Sequence, residues 1–157
     1  MIHLAKKYIY ITTPYLICDN ELFNALRLAS KRGVDVRIVT PHIPDKKLIH
    51  LMSRSNYYNL IKDGVKIYEY EYGFVHAKEF ICDDLFAICG TINLDYRSLA
   101  HHFECGAWIY NLECIKDMKK DKEILLKKCI EFDLEKSKLK GIKKFIAEFL
   151  KIYTPLM

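Results

Sequence analysis

Between Phe74 and Glu104 the chain collects side chains suited to holding and attacking a phosphate. His76 and Lys78 lie two apart in Phe74 to Cys82, an apolar and aromatic stretch that predicts a strand, and side chains two apart on a strand share a face. An imidazole beside an ammonium packs poorly, but the pair offers a nucleophile or base and a cation to an oxyanion. Asp83 has the opposite parity and opens an Asp-Asp breaker, which predicts a residue that holds the turn or orients a neighbour. Leu85 to Cys89 reads as a second short strand. Gly90 then lets the backbone approach another group closely, and Thr91 and Asn93 present a hydroxyl and an amide on one face.

This spacing (His-x-Lys, four residues, Asp, six residues, Gly-Thr-x-Asn) resembles the HKD motif of the phospholipase D superfamily. The continuation Asn93-Leu-Asp95-Tyr-Arg97-Ser98, then Phe103-Glu104, resembles its bacterial cardiolipin synthase branch. Ordinary residue frequencies give six specified types at fixed spacing a chance of about one in a hundred thousand in a chain this long. The resemblance runs from Tyr8-Ile-Tyr-Ile-Thr-Thr-Pro-Tyr through Gly33-Val-Asp-Val-Arg and Gly64-Val-Lys-Ile-Tyr-Glu-Tyr to Thr154-Pro-Leu. It corresponds to the C-terminal half of such an enzyme, without the membrane-spanning N-terminus and the first half with its own motif.

The resemblance implies an α/β (formally α+β) phospholipase D-like three-layer sandwich, a mixed sheet flanked by helices on both faces. It implies a phosphatidyltransferase that joins two phosphatidylglycerol molecules into cardiolipin, releasing glycerol through a phosphohistidine and using neither metal nor cofactor. His76 would be nucleophile or acid/base, Lys78 and Asn93 phosphate ligands, and Thr91 a supporting donor. Asp83 belongs to the catalytic motif in a structural role, and Glu104 would orient the imidazole of its own or the facing copy. Gly90, Asp95, Arg97 and Ser98 complete the supporting set. Exchanging one alcohol for another needs a second histidine across the phosphorus, acting as acid and then base. Only His76 of the six histidines has Lys two residues on, so a second HKD motif must come from homodimerisation or a partner chain. His101-His102 stands where the branch has Leu-Asn, and reads either as extra acid/base groups or as exposed loop histidines.

Elements must position this site. Met1 to Lys7 reads as the end of a helix, Tyr8 to Thr13 as a strand, and Asp19 as the cap of a helix ending near Lys31 before Gly33. Val34 to Thr40 predicts a strand, Asp45 to about Asp63 a helix stopped by Gly64, and Val65 to Tyr72 a third strand. This alternation is the pattern of right-handed crossovers between parallel strands. The motif strands follow, then a strand from Phe103 to Tyr110 and helices from about Leu112 to Phe132 and Leu139 to Tyr153.

At 157 residues and 51% hydrophobic composition the sequence reads as one domain, residues 1–157, large enough to bury a core. It shows neither a bilayer-spanning apolar run nor the apolar core of a signal peptide after Met1 to Lys7. Six cysteines without a CxxC pair read as reduced, buried thiols. The net charge of +5 resides in the tail from Lys136 onward, which carries six lysines and one glutamate. There Leu139, Ile142, Phe145, Ile146, Phe149, Leu150 and Tyr153 form one helical stripe with lysines off it. Such a basic amphipathic helix, at about residues 137–153, either rests on an anionic membrane surface or packs its stripe on the sheet with solvated lysines outside. The leading expectation is therefore a protein peripheral at the cytoplasmic membrane, with nucleic acid an unlikely partner. The alternatives are a homodimeric phosphodiesterase or nuclease, and a half that folds or binds lipid without turnover.

Overall fold

The computed structural model describes residues 1–152. A seven-stranded mixed sheet forms its centre, in the order β6-β5-β4-β1-β2-β3-β7. β1 (Tyr8–Thr12), β2 (Asp35–Pro41) and β3 (Lys66–Tyr70) are parallel. β4 (Glu79–Cys82), β5 (Phe86–Gly90) and β6 (Gly106–Tyr110) extend the sheet antiparallel from β1, and β7 (Cys129–Phe132) pairs antiparallel with β3.

The first crossover helix, α1 (Asn20–Lys31), starts where the Asp19 carboxylate accepts the Leu22 N–H at 2.7 Å. With α2 (Lys47–Lys62) it covers one face, where Leu26, Ala29, Tyr57 and Leu60 meet Ile9, Ile11, Val36, Ile38 and Ile67. α3 (Cys114–Leu126) covers the other, and its Ile115 packs with Tyr8, Tyr10, Ile81 and Ala87. This is the mixed sheet flanked by helices on both faces that the motif implied. After β3 the chain returns along residues 71–78, without a helix, to start β4 beside Thr12. The return sets His76 and Lys78 at the C-terminal ends of the parallel strands, where open α/β sheets bind ligands.

Several boundaries differ from the sequence expectation, each for a tertiary reason. Residues 1–7 form only a short 3₁₀ turn, Ile2–Leu4, because the Asp83 carboxylate accepts the Lys6, Lys7 and Tyr8 N–H groups and draws the chain out straight. The helix expected to start at Asp45 begins at Lys47, and the Asp45 carboxylate instead accepts the Tyr15 hydroxyl at 2.6 Å. The helix expected to reach Phe132 stops at Leu126, and Cys129–Phe132 becomes a strand on the free edge of β3. There the Phe132 ring sits edge-on to Tyr57 at 5.4 Å and beneath the Arg54 guanidinium. The cysteine reading needs a similar correction. All six are free thiols, but only Cys82 is buried, while Cys89, Cys105 and Cys114 are exposed near strand ends and at a helix start.

Of the two readings left open for the tail, the C-terminal helices do not follow the one that packs the stripe on the sheet. α4 (Leu134–Ser137) and α5 (Gly141–Lys151) lie against α2, outside the sheet layers. α5 buries Ala147, and Ile142 and Phe145 of the stripe face solvent at 73% and 71% exposure. Tyr153 and Thr154-Pro-Leu lie outside the described residues. Among the described residues no helix is long and apolar enough to cross a membrane.

Candidate active site

His76, Lys78, Glu79, Cys89, Gly90, Thr91, Asn93 and Glu104 line one open cavity of about 510 Å³. The His-x-Lys segment was expected on a strand, yet β4 begins only at Glu79. Its partner β1 ends at Thr12, and past that point Lys78 keeps one ladder bond, its carbonyl accepting the Gly90 N–H at 3.2 Å. His76 is exposed, its ring stacked on Phe74 at 5.7 Å, and Phe74 in turn touches Tyr15. Lys78 is 8% exposed and its ammonium donates to the His76 carbonyl at 2.7 Å. Burial pulls the Lys78 pKa below its ordinary value, against the opposing pull of the Glu104 and Asp95 carboxylates.

Gly90 is required by close approach. A Cβ there would lie 2.3 Å from the Cys105 carbonyl oxygen and 2.5 Å from the Gly106 Cα, both main chain. That contact brings Glu104 over the cavity. Its carboxylate accepts the Ser98 hydroxyl at 2.6 Å and the Thr91 hydroxyl, and these bonds, Ser98 first, hold its pKa below the usual carboxylate range. Ser98 in turn accepts the Asn93 N–H at 2.8 Å. Ser98 N–H donates to Asp95, which is buried, and that burial pushes the Asp95 carboxyl up. The segment Arg97–His101 is a single π turn, a distortion frequent at functional sites. Glu104 spends its two oxygens on Thr91 and Ser98; among the described residues no hydrogen bond joins it to His76.

The structure thus brings His76, Lys78, Gly90, Thr91, Asn93 and Glu104 around one cavity, with Asp95 and Ser98 behind it. Asp83 is not among them. It sits with φ of 54° at the opposite end of β4 and anchors the N-terminal segment. Arg97 and His102 turn to a neighbouring cavity, and His101 ends the exposed side of the π turn. Among the described residues no three His, Cys, Asp or Glu side chains converge where a metal ion could be held.

One pair beside the site escaped sequence reading. Lys122 of α3 is 1% exposed, and its ammonium donates to Glu79 at 2.7 Å and to the Thr12 hydroxyl. The signal was present, because Ile115, Met118 and Lys122 fall at helical spacing on the one apolar stripe of an otherwise charged helix. Glu69 had a similar signal at the apolar parity of β3. It is fully buried, bound by Arg54 at 2.8 and 2.5 Å, by His42 at 2.7 Å and by the Tyr57 hydroxyl at 3.1 Å.

Residues 1–125 match the family described as cardiolipin synthase, PLD-like domain. The chain belongs to that family. It is 39% identical to a cardiolipin synthase of Clostridium perfringens over 158 aligned residues, covering all of this chain and 33% of that one. It is 41% identical to cardiolipin synthase 1 of Staphylococcus aureus over 138 residues, 88% of this chain and 26% of the relative. This member of the cardiolipin synthase family therefore spans about a third or less of the length of these curated relatives. Solved structures share the fold at low identity. Nuc of Salmonella typhimurium, a phospholipase D family member, superposes with a TM-score of 0.71 at 20% identity, covering 84% of this chain and 86% of that one. Phosphatidylserine synthase of Haemophilus influenzae gives 0.76 at 16% identity, covering 99% and 41%. The resemblance read from the motif spacing thus led to the right family and fold.

Proposed function

We propose that this chain contributes one HKD half-site of a cardiolipin synthase, transferring a phosphatidyl group between two phosphatidylglycerol molecules. The observation that carries the reading is the convergence of His76, Lys78, Thr91, Asn93 and Glu104 on one cavity in a chain of this family. His76 attacks the phosphorus, a P–N bond forms and the P–O bond to glycerol breaks. The departing alkoxide takes a proton from the histidine of the second motif. The hydroxyl of a second phosphatidylglycerol then attacks, giving its proton to that same histidine as the P–N bond breaks. Lys78 and Asn93 hold the phosphoryl oxygens, whose growing charge they stabilise more than the ground state. Asp83 serves this chemistry only by fixing the far end of β4.

The second motif comes from a homodimer mate or from another part of a longer enzyme. Support lies beside the cavity, where Phe103 is fully exposed and β6, an edge strand among the described residues, presents Trp108 and Tyr110 at 55% and 58% exposure. The membrane is approached through α5, whose outward Ile142, Phe145 and Phe149 accompany exposed Lys140, Lys143 and Lys144. Sedimentation together with cardiolipin formation from phosphatidylglycerol tests the proposal. Activity is expected only in a dimer or with a second motif, and His76→Asn abolishes it. A monomer that turns over, or an active His76→Asn, overturns the half-site, and cleavage of oligonucleotides without lipid transfer replaces the lipid with nucleic acid.

A further inference from the structure

Beside the His76 cavity lies a second one of about 290 Å³, and the two share Asn93. Its wall combines Tyr15, Ile17 and Ile49 with Lys46, Arg97 and His102, and with the buried carboxyl of Asp95. Lys46 comes from the loop before α2 and Arg97 from the π turn, so two distant segments deliver cations to one small space. Among the described residues neither cation has a carboxylate within ion-pair distance, whereas four lysines of α3, α4 and α5 and their flanks find one within three residues. Two carboxylates lie close by, Asp95 in the wall itself, and each already accepts a hydrogen bond. Asp95 accepts the Ser98 N–H and Asp45 the Tyr15 hydroxyl. Asn93, at the junction, keeps a buried amide oxygen without a hydrogen-bond partner among the described residues.

We propose that this second cavity binds the phosphate of the acceptor phospholipid, the phosphatidylglycerol whose terminal hydroxyl attacks the phosphoryl group at His76. The inference rests on the transfer reading above and adds the acceptor's binding place. The acceptor's own phosphodiester lies one glycerol away from its attacking hydroxyl, so it needs cations one cavity away from the reacting phosphorus. Water has no such handle. Lys46 and Arg97 therefore favour a lipid alcohol over water at the second step, and Tyr15, Ile17 and Ile49 suit the glycerol carbons beside that phosphate. Successive phosphates also occur in nucleic acid, but the narrow apolar wall fits glycerol better than a base-bearing sugar.

Calorimetric titration of the whole chain with glycerol 3-phosphate and with glycerol 1,3-bisphosphate decides it. The bisphosphate is expected to bind about tenfold more tightly, the gain of one charge-assisted contact. Lys46→Gln combined with His102→Gln, both exposed positions, is expected to reduce that preference to near unity at an unchanged denaturation midpoint. Equal binding of the two compounds by the wild type, or a preference that survives in the variant, removes the acceptor site and leaves the His76 site standing. A wild type that binds neither compound removes both. Tighter binding of thymidine 3′,5′-bisphosphate, with the same dependence on Lys46, overturns the lipid assignment in favour of nucleic acid.

Discussion

Replacing Lys122 by Met tests whether the pair behind the site holds the site in place. The ammonium is almost wholly buried and bridges Glu79, the first residue of β4, to Thr12, the last of β1. Lys78 is the next residue toward the cavity. Breaking a fully buried ion pair costs about 3–5 kcal/mol, and an exposed one less than about 1. The Glu79 side chain retains 24% of its exposure, so its stranded carboxylate is partly rehydrated and the loss should be about 2–3 kcal/mol. For a chain of this size that lowers the melting temperature by roughly 4–12 °C. Thermal and urea unfolding followed by circular dichroism measure it. Glu79→Gln in the same background should recover about 1–2 kcal/mol, because it removes the unpaired charge. A Lys122→Met protein as stable as wild type, with no coupling to Glu79, refutes the reasoning.

Lys78→Ala should lower phosphatidyl transfer about 10²–10³-fold, the usual loss of one oxyanion donor, with Arg rescuing incompletely because its planar fork places its donors differently. Gly90→Ala forces a methyl against main-chain atoms of residues 105 and 106, so denaturation should show a loss of about 1–3 kcal/mol. His50 is held below its ordinary pKa by burial first and by Arg54 and His42 next, against Glu69. The unfolded chain therefore takes up a proton before the folded one, and stability present above about pH 6.5 is lost as pH falls toward the folded value. His50→Gln should flatten that part of a urea-midpoint profile. Lys140, Lys143 and Lys144 to Gln should abolish binding to anionic vesicles, each contributing about 1 kcal/mol, at unchanged melting temperature; unchanged binding assigns these lysines to solvent alone.

Local sequence determined the parts of this protein that depend on few partners. Asp19 caps α1, Gly33 and Gly64 stop two helices with φ of 89° and 93°, and apolar alternation marks the parallel strands. The motif spacing was equally legible, since Gly90, Thr91 and Asn93 must follow a turn from Lys78 for a cavity to close around a phosphate. Tertiary structure decided what local preference leaves balanced. Cys-Ile-Glu-Phe could have continued a helix, and it became β7 because β3 offered an unpaired edge and Tyr57 and Arg54 a seat for Phe132. Asp45 was left outside the start of α2 and bound by a tyrosine 30 residues away, and Asp83 took up three backbone donors more than 70 residues before it. The stripe of α5 shows the same division. Its amphipathic period is written in the sequence, but which side meets the protein is not, because a small residue, Ala147, allows close approach to α2 and leaves the larger apolar side chains turned outward.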